Sequence, residues 1–386
     1  MTDLLQRARR VGAEVAAQHA GAVDADARFP RESFAALKAE KLLGVMVPAE
    51  FGGAGASISD IAALCHALGQ HCASTAMIYA MHQIQVACVV RHGLQSAWHR
   101  ALLQRLAAEQ LLLASATSEA GVGGDVRSSV CAVEAEGGRF KLSKNATVIS
   151  YGADADGILA TARRTPESPA SDQVIIPVLK GDYRLEQTST WDTLGMRGTC
   201  SNGYWLHASG DVEQVLPLPY ADISAQTMLP TSHLTWSSLW LGIATDAVAR
   251  ARAFVRAEAR KKAGSVPSGA LRLAEAVNLL QLMRSNVVAA ARQYEAALGS
   301  AERLTALSFA VAMNNLKTGT SQMAVQVVNH ALLICGIAGY RNDSNFSVCR
   351  HLRDAHSAAL MVNNDRILAN TANLLLVLKD DPGLFP

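Results

Sequence analysis

Between Ala116 and Gly152 the chain carries a stretch whose residue types suit ligand chemistry. It opens with Ala116-Thr117-Ser118-Glu119-Ala120-Gly121-Val122-Gly123-Gly124-Asp125-Val126 and closes on Val148-Ile149-Ser150-Tyr151-Gly152. Gly121, Gly123 and Gly124 let a backbone approach a flat or anionic ligand with its N–H groups exposed. The hydroxyls of Thr117, Ser118 and Ser150 suit hydrogen bonds to the edge of a heterocycle. The spacing is neither Gly-x-Gly-x-x-Gly nor a phosphate-binding Gly-Lys-Ser loop, so it supports neither of those nucleotide sites. A plain turn before a strand has the same composition, and the stretch alone does not separate the two.

Other reactive side chains point to less. His66, His71 and His82 fall in one helical region, but their spacing does not imply convergence on a metal, and core or surface histidines are expected. The seven cysteines, Cys65, Cys72, Cys88, Cys131, Cys200, Cys335 and Cys349, are scattered and include no Cys-x-x-Cys pair. Buried free thiols in a reducing cytoplasm are expected, with no disulfide framework and no zinc site.

The elements that must position these residues belong to a chain of 386 residues, half hydrophobic and 18% charged. That length allows two or three domains, or one composite fold with ample core. A formal net charge of +2 argues against nucleic acid or a membrane surface as the main partner. The N-terminal stretch 1–21 alternates apolar residues with Arg7, Arg9, Arg10 and Glu14, which predicts a surface helix rather than a signal peptide. No stretch is read as a membrane span of about 18–20 apolar residues.

Residues 1–114 read as a helical domain. Phe34, Leu37, Leu42 and Leu43 recur at helical spacing up to Gly44. Ser57 or Ser59 is expected to cap the next helix, and Ala76 to Val90 is apolar nearly all round. Residues 115–225 read as a small β domain. Strands are expected around a hairpin turn at Glu136-Gly137-Gly138-Arg139, and at 157–162, 174–179 and 203–206. Residues 226–386 return to helix over 234–262, 271–298, 304–334 and 360–378, which predicts an antiparallel four-helix bundle and a short tail at 380–386.

Seven motifs in this order resemble the acyl-CoA dehydrogenase superfamily over nearly the whole chain. Leu43-Gly44-Val45-Met46-Val47-Pro48-Ala49-Glu50-Phe51-Gly52-Gly53-Ala54-Gly55 is similar to its N-terminal signature. Ser118 to Asp125 is similar to its flavin loop, and Val148 to Gly152 to its "WITNG". Leu194-Gly195-Met196-Arg197-Gly198-Thr199 matches "LGMR-x-(S/T)". Arg260 followed by Gly264 resembles "R-x-x-FG", Gly336-Ile337-Ala338-Gly339-Tyr340 resembles "GGNG(F/Y)", and Arg353-Asp354-Ala355 matches "RDA".

The resemblance implies a mostly α, α+β fold, with an N-terminal helical domain, a central β domain and a C-terminal four-helix bundle. It also implies FAD held between the β domain and the bundle, with a second subunit completing the site. A homotetramer, or at least a dimer, is therefore expected. Carried over by position, Ser118 and the Thr117 backbone meet the pyrimidine edge of the flavin, and Ser150 lies near N5. Arg260 reaches the pyrophosphate from the neighbouring subunit, and Gly336 lets a backbone approach the ADP part. The implied activity is α,β-dehydrogenation of an acyl thioester, on CoA or a carrier protein, with an electron-transfer partner or reductase. A cytoplasmic location is expected.

The same resemblance marks departures. The family's catalytic glutamate falls on Val362, which cannot take a proton. The position used by some relatives on the first long helix of the bundle falls on Ser232, followed by His233. Asp365 is the nearest carboxylate after Val362, so Asp365 or His233 is the expected base. A second branch of the fold, the flavin-dependent monooxygenases, is resembled by Arg353-Asp354-Ala355-His356 and Asn364-Asp365, but Met361 stands where their catalytic histidine would be. A third alternative is a base-less paralogue that binds an acyl thioester without turning it over. Ala263 replaces the family's phenylalanine, Leu271 its glutamine and Val148 its flavin-stacking tryptophan.

Overall fold

The computed structural model describes residues 2–261 and 264–379. Lys262, Ala263 and the tail 380–386 lie outside the described residues, and with them the expected helix end, the Phe-to-Ala departure and the expected tail.

The chain opens on α1 (Thr2–Val11), which passes through a π-helical turn at Gly12–Ala16 into α2 (Ala17–Ala25). Helices α3 (Arg31–Ala39), α4 (Ile58–Gly69), α5 (Ala73–His92) and α6 (Ala97–Glu109) complete the first helical layer. Ser57 caps α4 in a reciprocal box with Asp60, the arrangement that satisfies two orphan N–H groups at once. At 20 residues, α5 is long and apolar enough to cross a membrane, contrary to the expectation that no stretch is. Its richest window is 94% buried inside the fold, which accounts for the apolarity as core packing.

Seven strands follow: β1 (Leu113–Ala116), β2 (Glu134–Glu136), β3 (Arg139–Ala146), β4 (Gly157–Arg163), β5 (Gln173–Leu179), β6 (Tyr183–Ser189) and β7 (Gly203–Asp211). They make two sheets, ordered β1-β4-β5 and β2-β3-β7-β6. β1 and β4 pair in parallel, and every other named pair is antiparallel. β4 and β5 are buried along nearly their whole length, whereas β3 alternates inward and outward residues as a one-sided sheet does. The predicted hairpin is present: Glu136 faces Arg139, and Gly137 and Gly138 adopt φ of 57° and 82°, the left-handed pair a two-residue turn needs. β6 was not foreseen because it is a polar edge strand, mostly exposed and without apolar alternation.

After the strands come α7 (Tyr220–Ile223), a π-helical turn at Ser224–Met228, α8 (Leu229–Lys261), α9 (Ala270–Ala297), α10 (Ala301–Thr305), α11 (Leu307–Cys335), α12 (Ile337–Tyr340), α13 (Cys349–His356) and α14 (Asn364–Leu375). The expected helix over 304–334 is split, because Ala306 is extended at φ −61° and ψ 138° and separates α10 from α11. The last expected helix begins later than 360. Val362 takes a left-handed φ of 48°, and Asn363 caps α14 behind it. Helices α4 and α8 cross at glycines. A Cβ on Gly69 would lie 2.5 Å from the Leu239 carbonyl oxygen, and one on Gly242 2.5 Å from that of His66. The backbones touch there because no side chain separates them.

Candidate functional site

The loop after β1 is pinned from beneath by a buried ion pair. Glu119 accepts hydrogen bonds from Ser129 Oγ (2.6 Å), from the backbone N–H of Cys131 (2.6 Å) and Val130 (3.2 Å), and from Lys144 Nζ (2.9 Å). Lys144 is fully buried and also donates to the Thr161 carbonyl at 2.9 Å. Burial alone raises a carboxyl group; here the Lys144 charge and the donated hydrogen bonds outweigh it and hold Glu119 below its ordinary value. Sequence reading assigned neither residue a role. The signal for Lys144 is its place on β3: Phe140, Leu142, Lys144 and Ala146 form the inward set, so a lysine there requires a buried partner.

Above this anchor the Cα of Gly123 stands open, whereas the Arg366 guanidinium covers Gly124, 2.8 Å from where a Cβ would lie. Gly121, Gly123 and Gly124 have φ of 90°, 58° and 77°. No heavy atom lies within 4 Å of a Cβ built on Gly123, so the loop there faces open space. The Ser118 hydroxyl donates to the Val148 carbonyl at 2.9 Å and accepts from the Val148 N–H at 3.2 Å, which ties the loop to the segment before Ser150. Its donor is thus spent within the protein, and an acceptor position remains for a ligand. Thr117 is half-buried beside it. Ser150 Oγ lies 2.7 Å from Ser201 Oγ, which lies 2.9 Å from Thr199 Oγ1, and Thr199 donates to the Met196 carbonyl at 2.9 Å. This hydroxyl chain joins two of the sequence motifs that are about fifty residues apart.

A third motif closes on the same place. The Met196 N–H donates to Asp354 Oδ1 at 2.7 Å, and a Cβ on Gly195 would meet the Arg353 carbonyl at 2.3 Å. Burial raises the Asp354 carboxyl to about 6 in spite of that donated hydrogen bond. The chain then turns through Val362 into α14, where Arg366 donates to the Gly123 carbonyl oxygen. The first turn of α14 therefore rests on the glycine loop. Asp365 lies in that turn, exposed, with its N–H bonded to Asn363 Oδ1 at 2.7 Å.

The other candidates have different surroundings. Ser232 is buried and donates to the Met228 carbonyl at 2.5 Å. His233 is buried, 3.0 Å by Nδ1 from the Met313 carbonyl oxygen and 6.3 Å ring to ring from Trp236. Burial draws its pKa down to about 3, so the ring is neutral and weakly basic. A ring held neutral in this way is a weak proton acceptor. Arg260 and Gly336 are exposed near the C-terminal ends of α8 and α11, with Gly336 at φ 55° and open space around its Cα. Among the described residues no group of three or more metal-ligating side chains converges.

A glycine loop with Arg366 lying on it, a tethered serine pair beside it and an exposed arginine at a helix end fit a flat dinucleotide carrying negative charge. Lys317 on α11 was also missed. It is fully buried, and its Nζ donates to the Val362 carbonyl and to Asn364 Oδ1, both at 2.7 Å.

Two family profiles match the chain: acyl-CoA dehydrogenase, N-terminal domain, over residues 2–110, and acyl-CoA dehydrogenase, C-terminal domain, over residues 224–370. Among curated proteins, the "Probable acyl-CoA dehydrogenase FadE25" of Mycobacterium tuberculosis is 26% identical over 355 residues, which is 91% of this chain and 88% of that protein. Among solved structures, butyryl-CoA dehydrogenase from Megasphaera elsdenii superposes with a TM-score of 0.80 at 19% identity, covering 97% of each chain. The dibenzothiophene monooxygenase TdsC from Paenibacillus sp. A11-2 superposes with a TM-score of 0.81 at 18% identity, again over 97% of each chain. These two superpositions establish the fold.

Proposed function

The chain belongs to the acyl-CoA dehydrogenase superfamily, and from that premise we propose that it is an FAD-dependent oxidoreductase that desaturates the α,β-bond of an acyl thioester. The observation that carries this reading is the contact of Arg366 with the Gly123 carbonyl. It sets a carboxylate, Asp365, in a helical turn that rests on the glycine loop, three residues after the position where the family's glutamate is replaced by Val362.

When bound, FAD supplies the two-electron acceptor for the hydride lost from the β-carbon. The residues of the chain do the rest. The glycine loop and Ser118 hold the ring edge, Ser150 presents a hydroxyl beside it, and Thr117 contributes its backbone. Arg260 and Gly336 serve the pyrophosphate and ADP part from the neighbouring subunit. Asp365 takes the α-proton onto a carboxylate oxygen. An exposed carboxylate suits this, because it is free to meet a thioester in a site that a second subunit then covers. Electrons leave to an electron-transfer partner, the assembly is a homotetramer, and the location is cytoplasmic.

A second reading has its own support. With Val362 in place of a carboxylate, and Arg353-Asp354-Ala355-His356 and Asn364-Asp365 in the chain, a monooxygenase that takes reduced flavin and oxygen is the competing reaction. One experiment separates the two. The visible spectrum of the purified protein is recorded before and after anaerobic addition of a panel of acyl-CoA thioesters. Dehydrogenation predicts a bound oxidised flavin whose 450-nm region bleaches (~450 nm) with a matching thioester. A protein that takes up reduced flavin, bleaches with no thioester and consumes oxygen overturns the dehydrogenase reading in favour of the monooxygenase.

A further inference from the structure

We infer that Lys317 is the positioning residue of the turn that carries Val362 and Asp365: its buried ammonium holds the start of α14 and thereby seats Asp365 and Arg366 on the glycine loop. This deepens the proposed function, on which the catalytic meaning of the turn rests.

The geometry is that of a clamp. Lys317 projects from α11 with no exposed surface and gives hydrogen bonds of 2.7 Å to the Val362 carbonyl oxygen and of 2.7 Å to Asn364 Oδ1. Asn364 is held a second time, its Nδ2 donating to Ser321 Oγ at 3.0 Å one helical turn along α11. The Trp240 ring of α8 lies 5.8 Å from Lys317 Nζ and adds a cation–π contact. The turn needs such a hold. Val362 sits at φ 48°, a conformation that β-branched residues avoid and keep only when their surroundings impose it. Val362 is itself half exposed, so its side chain is not what fixes it. Four residues after Val362, the Arg366 contact with Gly123 passes the position of this turn to the glycine loop.

Among the described residues no carboxylate bonds the Lys317 ammonium. Among the described residues Lys317 makes no ion pair. On α8, His233 is neutral at neutral pH. In the first turn of α14, Asp365 and Arg366 are exposed. On α13, Asp354 bonds the Met196 N–H and His356 is exposed. On α9, Glu275 pairs with His330 farther along α11. Burial brings Lys317 down to about 7. Below that value three N–H groups carry a full charge to two acceptors; above it a neutral amine makes weaker bonds. The clamp therefore loosens as pH rises through neutrality.

The test is hydrogen exchange of the backbone amides of residues 357–366 in the full chain, at about pH 6 and about pH 8.5, with exposure times scaled to the intrinsic rates. Protection in the unaltered protein is expected to fall by roughly fivefold or more between the two. Lys317→Met is expected to lose protection at both values and to show no difference between them. Asn364→Asp keeps the lysine and supplies a carboxylate, so the fall is expected to move upward by about a pH unit or more. It also decides the matter if Lys317→Met fails to fold. Protection that is unaffected by pH in the unaltered protein, or a transition that Asn364→Asp leaves in place, overturns the inference. Exchange needs no substrate, so a thioester panel that bleaches nothing removes the dehydrogenase reading and leaves the clamp standing.

Discussion

Asp365 carries the proton in the proposed reaction, which gives its removal a defined signature. Asp365→Asn preserves size and the cap that Asn363 gives its backbone N–H. It is expected to slow anaerobic flavin reduction by a matching acyl-CoA about 10²–10⁴-fold while leaving bound flavin in place. Stopped-flow absorbance reads both quantities, and an unchanged rate removes Asp365 as the base. Glu119 has a different part, since its hydrogen bonds support the loop from beneath. Glu119→Gln leaves Lys144 charged and fully buried without its counter-charge, at a cost of about 3–5 kcal/mol by denaturant unfolding. The sign of its pH dependence follows from its lowered pKa. The stabilisation is present above the ordinary carboxyl value of 4.5 and is lost as pH falls below it. The variant is therefore expected to lose part of the acid-limb slope of the unaltered protein.

At the scale of elements, legibility divides along patterning. The Gly137–Gly138 hairpin, the Ser57 cap and the apolar α5 follow local rules that act within a few residues, and those elements were readable in advance. β6 and the late start of α14 were not. The first is an exposed polar edge, and the second depends on a lysine 45 residues earlier in the chain that holds the Val362 carbonyl. The same division applies to the site. The glycines and serines announce themselves by composition, whereas Glu119, Lys144 and Lys317 act through contacts that only the tertiary fold creates. The crossing of α4 and α8 is another such contact, and it yields a test. Gly242→Ala sets a methyl 2.5 Å from the His66 carbonyl oxygen, which only a backbone shift relieves. A loss of about 1–3 kcal/mol in unfolding free energy is expected, although alanine is the better helix former by about 1 kcal/mol. A gain in stability would mean the crossing is looser than these distances imply.

The whole molecule leaves apolar side chains where a single chain has nothing to cover them. Leu271 on α9 is 75% exposed, Ile337 and Tyr340 on α12 are 73% and 69% exposed, and Leu376 just past α14 is 83% exposed. Gly336 and Arg260, the two residues proposed to serve the dinucleotide of another subunit, lie at the ends of α11 and α8. Leu271 also stands at the family's glutamine position, so an apolar contact replaces a polar one there. In the proposed homotetramer these side chains are buried between subunits, and assembly and flavin retention are linked by mass action. Ile337→Asp charges α12 next to Gly336 without touching the core of one chain. It is expected to shift the mass measured by light scattering from four chains towards two or one, and to release flavin in proportion. Leu4→Asp in α1, on a side chain buried within the chain, is the contrasting variant: it is expected to lower the melting temperature with no shift in the subunit number of the folded fraction. A tetramer that survives Ile337→Asp with its flavin would move the subunit boundary away from α12, and with it the assignment of Gly336.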